Sequence, residues 1–240
     1  MHSKAATPNA KLKVCYRNLI LLAGLFWSVA GLTQTPPGAI EVADYRGLFA
    51  AVVQNDMPAL KQQLETDTDV DLRDDHGRSA LHVAAYFRNH EAMRALVAAG
   101  ADANALESDF YDIVTIAAVA DDLETTKLAL KLGCRADNVT SRYDGTALIA
   151  AAHLGHVEVV ETLIRAGAPL DHVNNLNWTA SIESIVLGDG GQRHTATLKA
   201  LVDAGANVNL ADGHGDSPLQ LSRARGYRNM VDILLAAGAR

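Results

Sequence analysis

Residues 145–168 read Gly145-Thr146-Ala147-Leu148-Ile149-Ala150-Ala151-Ala152-His153-Leu154-Gly155-His156-Val157-Glu158-Val159-Val160-Glu161-Thr162-Leu163-Ile164-Arg165-Ala166-Gly167-Ala168. A threonine opens a run of small apolar residues, and Gly155-His156 breaks it. Val160, Leu163 and Ile164 then stand at helical spacing on one face. Gly167 follows, suited to ending the helix in a left-handed cap that other residues resist. The stretch predicts two short helices joined by a tight turn.

The same pattern recurs in both directions. Gly100-Ala101, Gly133-Cys134, Gly167-Ala168, Gly205-Ala206 and Gly238-Ala239 are separated by 33, 34, 38 and 33 residues. Upstream of these pairs come apolar helical sets such as Met93, Leu96, Val97; Leu198, Leu201, Val202; and Met230, Val231, Ile233, Leu234. A shorter helix precedes each, opening at Ser79-Ala80-Leu81-His82, Thr146-Ala147-Leu148, Thr179-Ala180-Ser181 and Ser217-Pro218-Leu219. Turn residues lie between the helices: Asn55-Asp56, Arg88-Asn89, Ala120-Asp121, Gly155-His156 and Gly226-Tyr227.

This period and grammar resemble the ankyrin repeat, whose 33-residue unit is a turn plus two antiparallel helices. The resemblance runs from about Ala43 to Arg240. It implies an all-α solenoid of six units near 43–75, 76–108, 109–141, 142–174, 175–211 and 212–240. The first and third units are degenerate: Leu48 to Val52 and Val114 to Ala118 replace the usual helix starts, and Pro58 opens the second helix of unit one. Terminal units are expected to be atypical, since one face of each meets water. The family shape implies a concave surface made by the first helices and the projecting loops.

Unit five is five residues longer than its neighbours. The excess falls around Leu187-Gly188-Asp189-Gly190-Gly191-Gln192-Arg193-His194, where three glycines in four residues cannot remain helical. A similar insertion occurs in bacterial ankyrin proteins, followed by an Arg-His pair and a final Arg-Gly-Tyr turn, here Arg193-His194 and Arg225-Gly226-Tyr227. That likeness implies a bacterial origin. Two readings of Gly188, Asp189, Gly190, Gly191, Arg193 and His194 stay open. The loop could bind an anion or small ligand through backbone N–H groups. Alternatively it is a long turn in which Asp189 caps a helix end or pairs with Arg193.

The N-terminus reads differently. Residues 1–18 carry Lys4, Lys11, Lys13 and Arg17 without an acidic residue, and an apolar run from Leu19 to Leu32 follows. A basic flank, a short apolar stretch and small residues at Ser28 and Ala30 describe a signal peptide over 1–30, with periplasmic export as the consequence. An uncleaved anchor in the inner membrane, facing the periplasm, is the alternative. Residues 31–42, with Thr35-Pro36-Pro37-Gly38, read as a linker. The whole chain of 240 residues has 21 basic and 28 acidic side chains and a net charge of −7. Loss of the four basic residues of the leader changes this to −11. An acidic chain is a poor match for phosphate backbones, so nucleic acid is not expected as a partner. Cleavage also leaves Cys134 as the lone cysteine.

The chemistry-bearing residues do not assemble into a catalytic pattern. The nine histidines are scattered, and no metal-ligand spacing accompanies His153 and His156. There is no Gly-x-Ser-x-Gly elbow and no phosphate-loop lysine. No catalytic residue, metal or cofactor is expected. The resemblance implies that His82 and His156 bond neighbouring turns.

What the sequence does offer is aromatic and arginine side chains in or near the unit-to-unit loops: Arg78, Tyr86, Phe87, Arg88, Phe110, Tyr111, Arg142, Tyr143 and Trp178. These residue types anchor protein interfaces. The expectation is a non-enzymatic protein-binding module whose groove and loop tips hold a partner. The partner is either an exported enzyme such as a catalase or a toxin, with small-ligand binding at 188–194 as the other class.

Overall fold

The computed structural model describes residues 34–66 and 68–240. The leader read over 1–30 lies outside them. Thirteen helices occur among the described residues. The first, α1 (Ala39–Asp44), stands alone. The other twelve form six antiparallel pairs: α2 (Gly47–Val53) with α3 (Met57–Leu64), α4 (Ala80–Tyr86) with α5 (His90–Ala98), α6 (Ile113–Val119) with α7 (Leu123–Lys131), α8 (Ala147–Leu154) with α9 (Val157–Arg165), α10 (Ala180–Val186) with α11 (Gln192–Asp203), and α12 (Pro218–Arg225) with α13 (Arg228–Ala236). The described residues contain no strand, only two isolated bridges, Arg73 with Ser79 and Thr140 with Gly145.

Local chemistry fixes the helix ends. Asp56, Asn89, Asp112, Asp122, Thr146, Thr179 and Ser217 each accept a backbone N–H from three residues on. Such caps contribute about 1 kcal/mol apiece. At the other end of the second helices, Gly100, Gly133, Gly167, Gly205 and Gly238 have φ between 84° and 101°. Those are the positions where the repeat places its glycine.

The first helices α2, α4, α6, α8, α10 and α12 pack consecutively into one layer. The second helices form the other. Close stacking of the first layer needs small buried residues, and Ala84, Ala85, Ala118, Ala151 and Ala152 supply them. The apolar interior falls into two clusters. A long one runs from Leu48 to Ala206, and a short one joins Ile185, Leu198, Val208, Leu219, Met230, Leu234 and Ala239.

Two regions differ from expectation. The stretch read as a linker is irregular only over 34–38; α1 begins at Ala39, inside it. Glu41 accepts the Gly38 N–H at 2.6 Å, a capping bond that starts the helix just past the prolines. In unit five the insertion is not all loop. Leu187 to Gly191 form the turn, while Gln192-Arg193-His194 add nearly a turn to α11, which has twelve residues against nine in α9. The added turn brings α11 against α8 as well as α9.

Candidate protein-binding face

The loops between units share one design. In four of them the first residue accepts two backbone N–H groups from the loop that follows it. Asp74 takes those of His76 and Arg78, Glu107 those of Asp109 and Tyr111, Asn174 those of Leu176 and Trp178, and Asp212 those of His214 and Asp216. The fourth residue of each loop is left-handed: Gly77 at φ 69°, Phe110 at 65°, Asn177 at 61° and Gly215 at 84°. Backbone bonds link successive tips. Ser108 N–H reaches the His76 carbonyl at 3.0 Å, Ser141 that of Phe110 at 2.8 Å, and Asn175 that of Tyr143 at 2.9 Å. Sequence reading missed this scaffold. Its signal was present as a polar acceptor four residues before Arg78, Tyr111, Trp178 and Asp216.

The predicted anchors separate on this frame. Phe110 is 52 % exposed and Phe87 43 %. Arg142 is exposed and pairs with Asp109, while Arg88 is exposed and pairs with Asp122 at 3.0 Å. Tyr86, Tyr143 and Trp178 are half-buried. The Tyr86 hydroxyl finds no hydrogen-bond partner among the described residues.

Two predicted anchors are corrected. Arg78 is fully buried and Tyr111 nearly so. Both sit one residue before the N-cap of a first helix, where Trp178 is only half-buried and Asp216 exposed, so their burial comes from what lies over them, for Arg78 the segment from Thr35 to Glu41. Arg78 Nε donates to Asp74 at 2.7 Å, and its two terminal nitrogens reach the Thr35 carbonyl and Glu41. Burial would push Asp74 up, but bonds from the Tyr45 hydroxyl and Arg78 outweigh it and hold the carboxyl low. Burial raises the Tyr111 phenol to about 12.

The glycine-rich insertion is internally committed. Asp189 does not pair with Arg193. It accepts the Gly191 N–H at 2.8 Å and contacts His194 Nδ1 at 2.9 Å. Arg193 turns to Asp121, 72 residues away, at 2.7 Å, and to the Gly155 carbonyl at 3.0 Å. His194 Nε2 donates to the His153 carbonyl at 2.9 Å. The Tyr227 hydroxyl donates to the Gly188 carbonyl, also at 2.9 Å. Gly190 has φ 69°, and a Cβ there would drive into the Tyr227 ring; one at Gly188 would meet the Ser184 carbonyl and the His194 ring. The loop therefore bridges units three, four, five and six.

His82, in the first turn of α4, and His156, in the α8–α9 turn, bond as the resemblance implied. His82 Nε2 lies 3.0 Å from the Ala105 carbonyl and its Nδ1 2.8 Å from Ser79 Oγ. Burial lowers its pKa to about 4. His156 Nδ1 donates to Ala118 O at 2.8 Å. Cys134 is buried and donates to Ala103 O, and burial pushes its thiol pKa up. No group of three or more metal-ligating side chains gathers among the described residues. No helix there is long and apolar enough to cross a membrane.

The comparisons agree with this architecture. The family model described as ankyrin repeats in three copies matches residues 48–113 and 114–212. A putative ankyrin repeat protein of Escherichia coli, YahD, is 33 % identical over 199 residues, covering 82 % of this chain and 96 % of its own. A crystal structure of an ankyrin repeat domain from Acinetobacter baumannii is 43 % identical with a TM-score of 0.76, covering 80 % of this chain and 98 % of its own. At 18 % identity and a TM-score of 0.66, covering 80 % of this chain and 98 % of that one, the fold also matches a chain of the complex between a Bdellovibrio bacteriovorus predatory endopeptidase, Bd0816, and immunity protein Bd3460. The two-layer stack, the glycine-ended second helices and these matches together make the chain a member of the ankyrin-repeat family.

Proposed function

We propose that this protein is an exported, non-enzymatic binding module that holds a partner protein on its loop-tip face, in the bacterial periplasm. Ankyrin repeats form a protein-interaction fold, and one residue carries the extension to this face. Phe110 is an aromatic side chain at a left-handed backbone position that two equivalent loops fill with glycine, and it is half-exposed. A bulky residue there costs about 1–2 kcal/mol of conformational energy. Strain held at an exposed aromatic is a mark of a contact site. Arg142, Tyr143 and Trp178 extend the face, whereas Phe87 and Arg88 lie in the α4–α5 turn at the other end of the first helices. An acidic mature chain favours a partner with a basic patch.

The test is capture of the partner from a periplasmic extract, run in parallel with a Phe110→Gly chain. The glycine variant is expected to be more stable by about 1 kcal/mol and to hold the partner about ten-fold more weakly. Equal retention by both would remove Phe110 from the interface. The identity of the retained protein separates support of an enzyme such as a catalase from an immunity-type role. In the second reading, small-ligand binding at 188–194, the ligand would have to displace the bonds of Asp189, Arg193 and His194 described above.

A further inference from the structure

The segment Gln34–Glu41 lies against units two and three through polar bonds. Gln34 Nε2 donates to the Thr115 carbonyl on α6 at 3.1 Å, and Thr35 Oγ1 to Asp109 at 3.3 Å. The Thr35 carbonyl accepts from Arg78 Nη1 at 2.8 Å. Glu41 accepts from Arg78 Nη2 at 2.7 Å and lies 3.0 Å from His76 Nε2. The helix that follows buries none of its residues, and Ile40 is 81 % exposed. A segment that contributes no apolar side chain to the interior is seated like a bound peptide, not like a layer of the fold.

The receptor side is built in advance. Asp74 fixes Arg78 through Nε, and the Tyr45 hydroxyl holds Asp74 in turn at 2.8 Å. That leaves the two terminal nitrogens as a fork. One reads a main-chain carbonyl and the other a carboxylate six residues further on. A planar fork suits this paired recognition. The Pro36-Pro37 pair keeps the occupant extended, which lowers the entropy lost on seating it. Asp109, the contact of Thr35, neighbours Phe110 and also pairs with Arg142, so this seat is continuous with the proposed face.

We propose that residues 34–41 are a displaceable strap, an intramolecular stand-in for an extended partner segment that sets one carbonyl and one carboxylate in the same seat on Arg78 and His76, apart from any basic patch the partner carries elsewhere. The proposal rests on the reading of this face as protein-binding, but its test needs no partner. A short tether gives the strap an effective concentration of about 1 mM, so a peptide affinity of about 0.1 mM keeps it closed nine-tenths of the time.

The probe is a fluorescein-labelled peptide with the sequence of residues 34–44, titrated by anisotropy against the full chain and against a full chain carrying Gln34→Ala and Glu41→Ala. The variant is expected to bind the probe about ten-fold more tightly than the unaltered chain. A probe with Glu41→Ala should bind neither. Equal affinity for both chains, no binding to either, or equal binding of the altered probe would overturn the proposal. So would a dimer in size-exclusion chromatography, since the straps would then be exchanged between copies. Hydrogen exchange on the unaltered chain gives a second reading. The Val42 amide of the strap should exchange about a hundred-fold faster than the Val83 amide of α4. Equal protection of the two would mean that the strap opens only when the array does, and the proposal would fall. An empty capture from extract alongside a bound probe would count against the periplasmic reading and not against the strap.

Discussion

Residues 34–44 and residues 187–194 both lie outside the regular repeat, and an arginine fastens each: Arg78 the first, Arg193 the second. The bonds look alike, but their settings differ. The N-terminal segment meets the array through polar groups of side chain and main chain and exposes Ile40. The insertion threads through it. Gly188 is buried, Gly190 lies under the Tyr227 ring, and the added turn of α11 packs on α8. Polar bonds at a surface give specificity with little net stability, because water competes for the same groups. Bonds closed over backbone that no side chain could enter belong to the packing itself. The difference implies that the first addition can leave and the second cannot.

The comparison breaks most sharply at Gly190. Gly190→Val combines a left-handed backbone with collision against Tyr227, and a loss of about 3–5 kcal/mol is expected in denaturant unfolding. A change below 1 kcal/mol would show the insertion to be as loosely held as the strap. The next largest effect belongs to neither addition and gauges the array between them. His82 is held neutral by burial, with its pKa at about 4. The folded chain then binds fewer protons than the unfolded one between pH 4 and about 6.5. This contribution is complete above pH 6.5 and drains as the pH falls, by about 3 kcal/mol in all. Subtracting the stability curve of His82→Gln from that of the unaltered chain isolates it; two parallel curves would place His82 in water. Tyr227→Phe removes only the hydroxyl bond to Gly188, and about 1 kcal/mol should be lost. The strap's effect is capped by its own closing ratio. The Gln34→Ala, Glu41→Ala chain should lose at most about 1.4 kcal/mol, the free energy of a ten-to-one closure. A loss above 2 kcal/mol would make the strap a structural layer.

Much of the array was legible because the repeat writes its stereochemistry into residue type. Gly167 and its counterparts mark left-handed ends, Thr146 and Ser217 mark helix starts, and the period gives the stacking partners. The site was less legible, and the reason is range. The contacts of Gln34 with Thr115, Glu41 with Arg78 and Arg193 with Asp121 span 81, 37 and 72 residues. None of these pairs leaves a local trace in the sequence. Arg78 and Tyr111 were misread for the same reason. Their residue types suit an interface, but residues distant in sequence cover them, as Thr35 and Glu41 cover Arg78. Asp189 and Arg193, four apart, invited a local pair that the longer α11 pulled apart.

The backbone bonds that join His76 to Ser108, Phe110 to Ser141 and Tyr143 to Asn175 have one more consequence. They couple neighbouring tips through main chain, which side-chain substitution cannot edit. The tips behave as the teeth of one comb, with a spacing set by the repeat. A partner that grips Phe110 and Tyr143 together must carry its own contacts at that pitch. Slipping by less than a whole tooth forfeits both anchors at once. Such a surface selects for periodicity in what it holds.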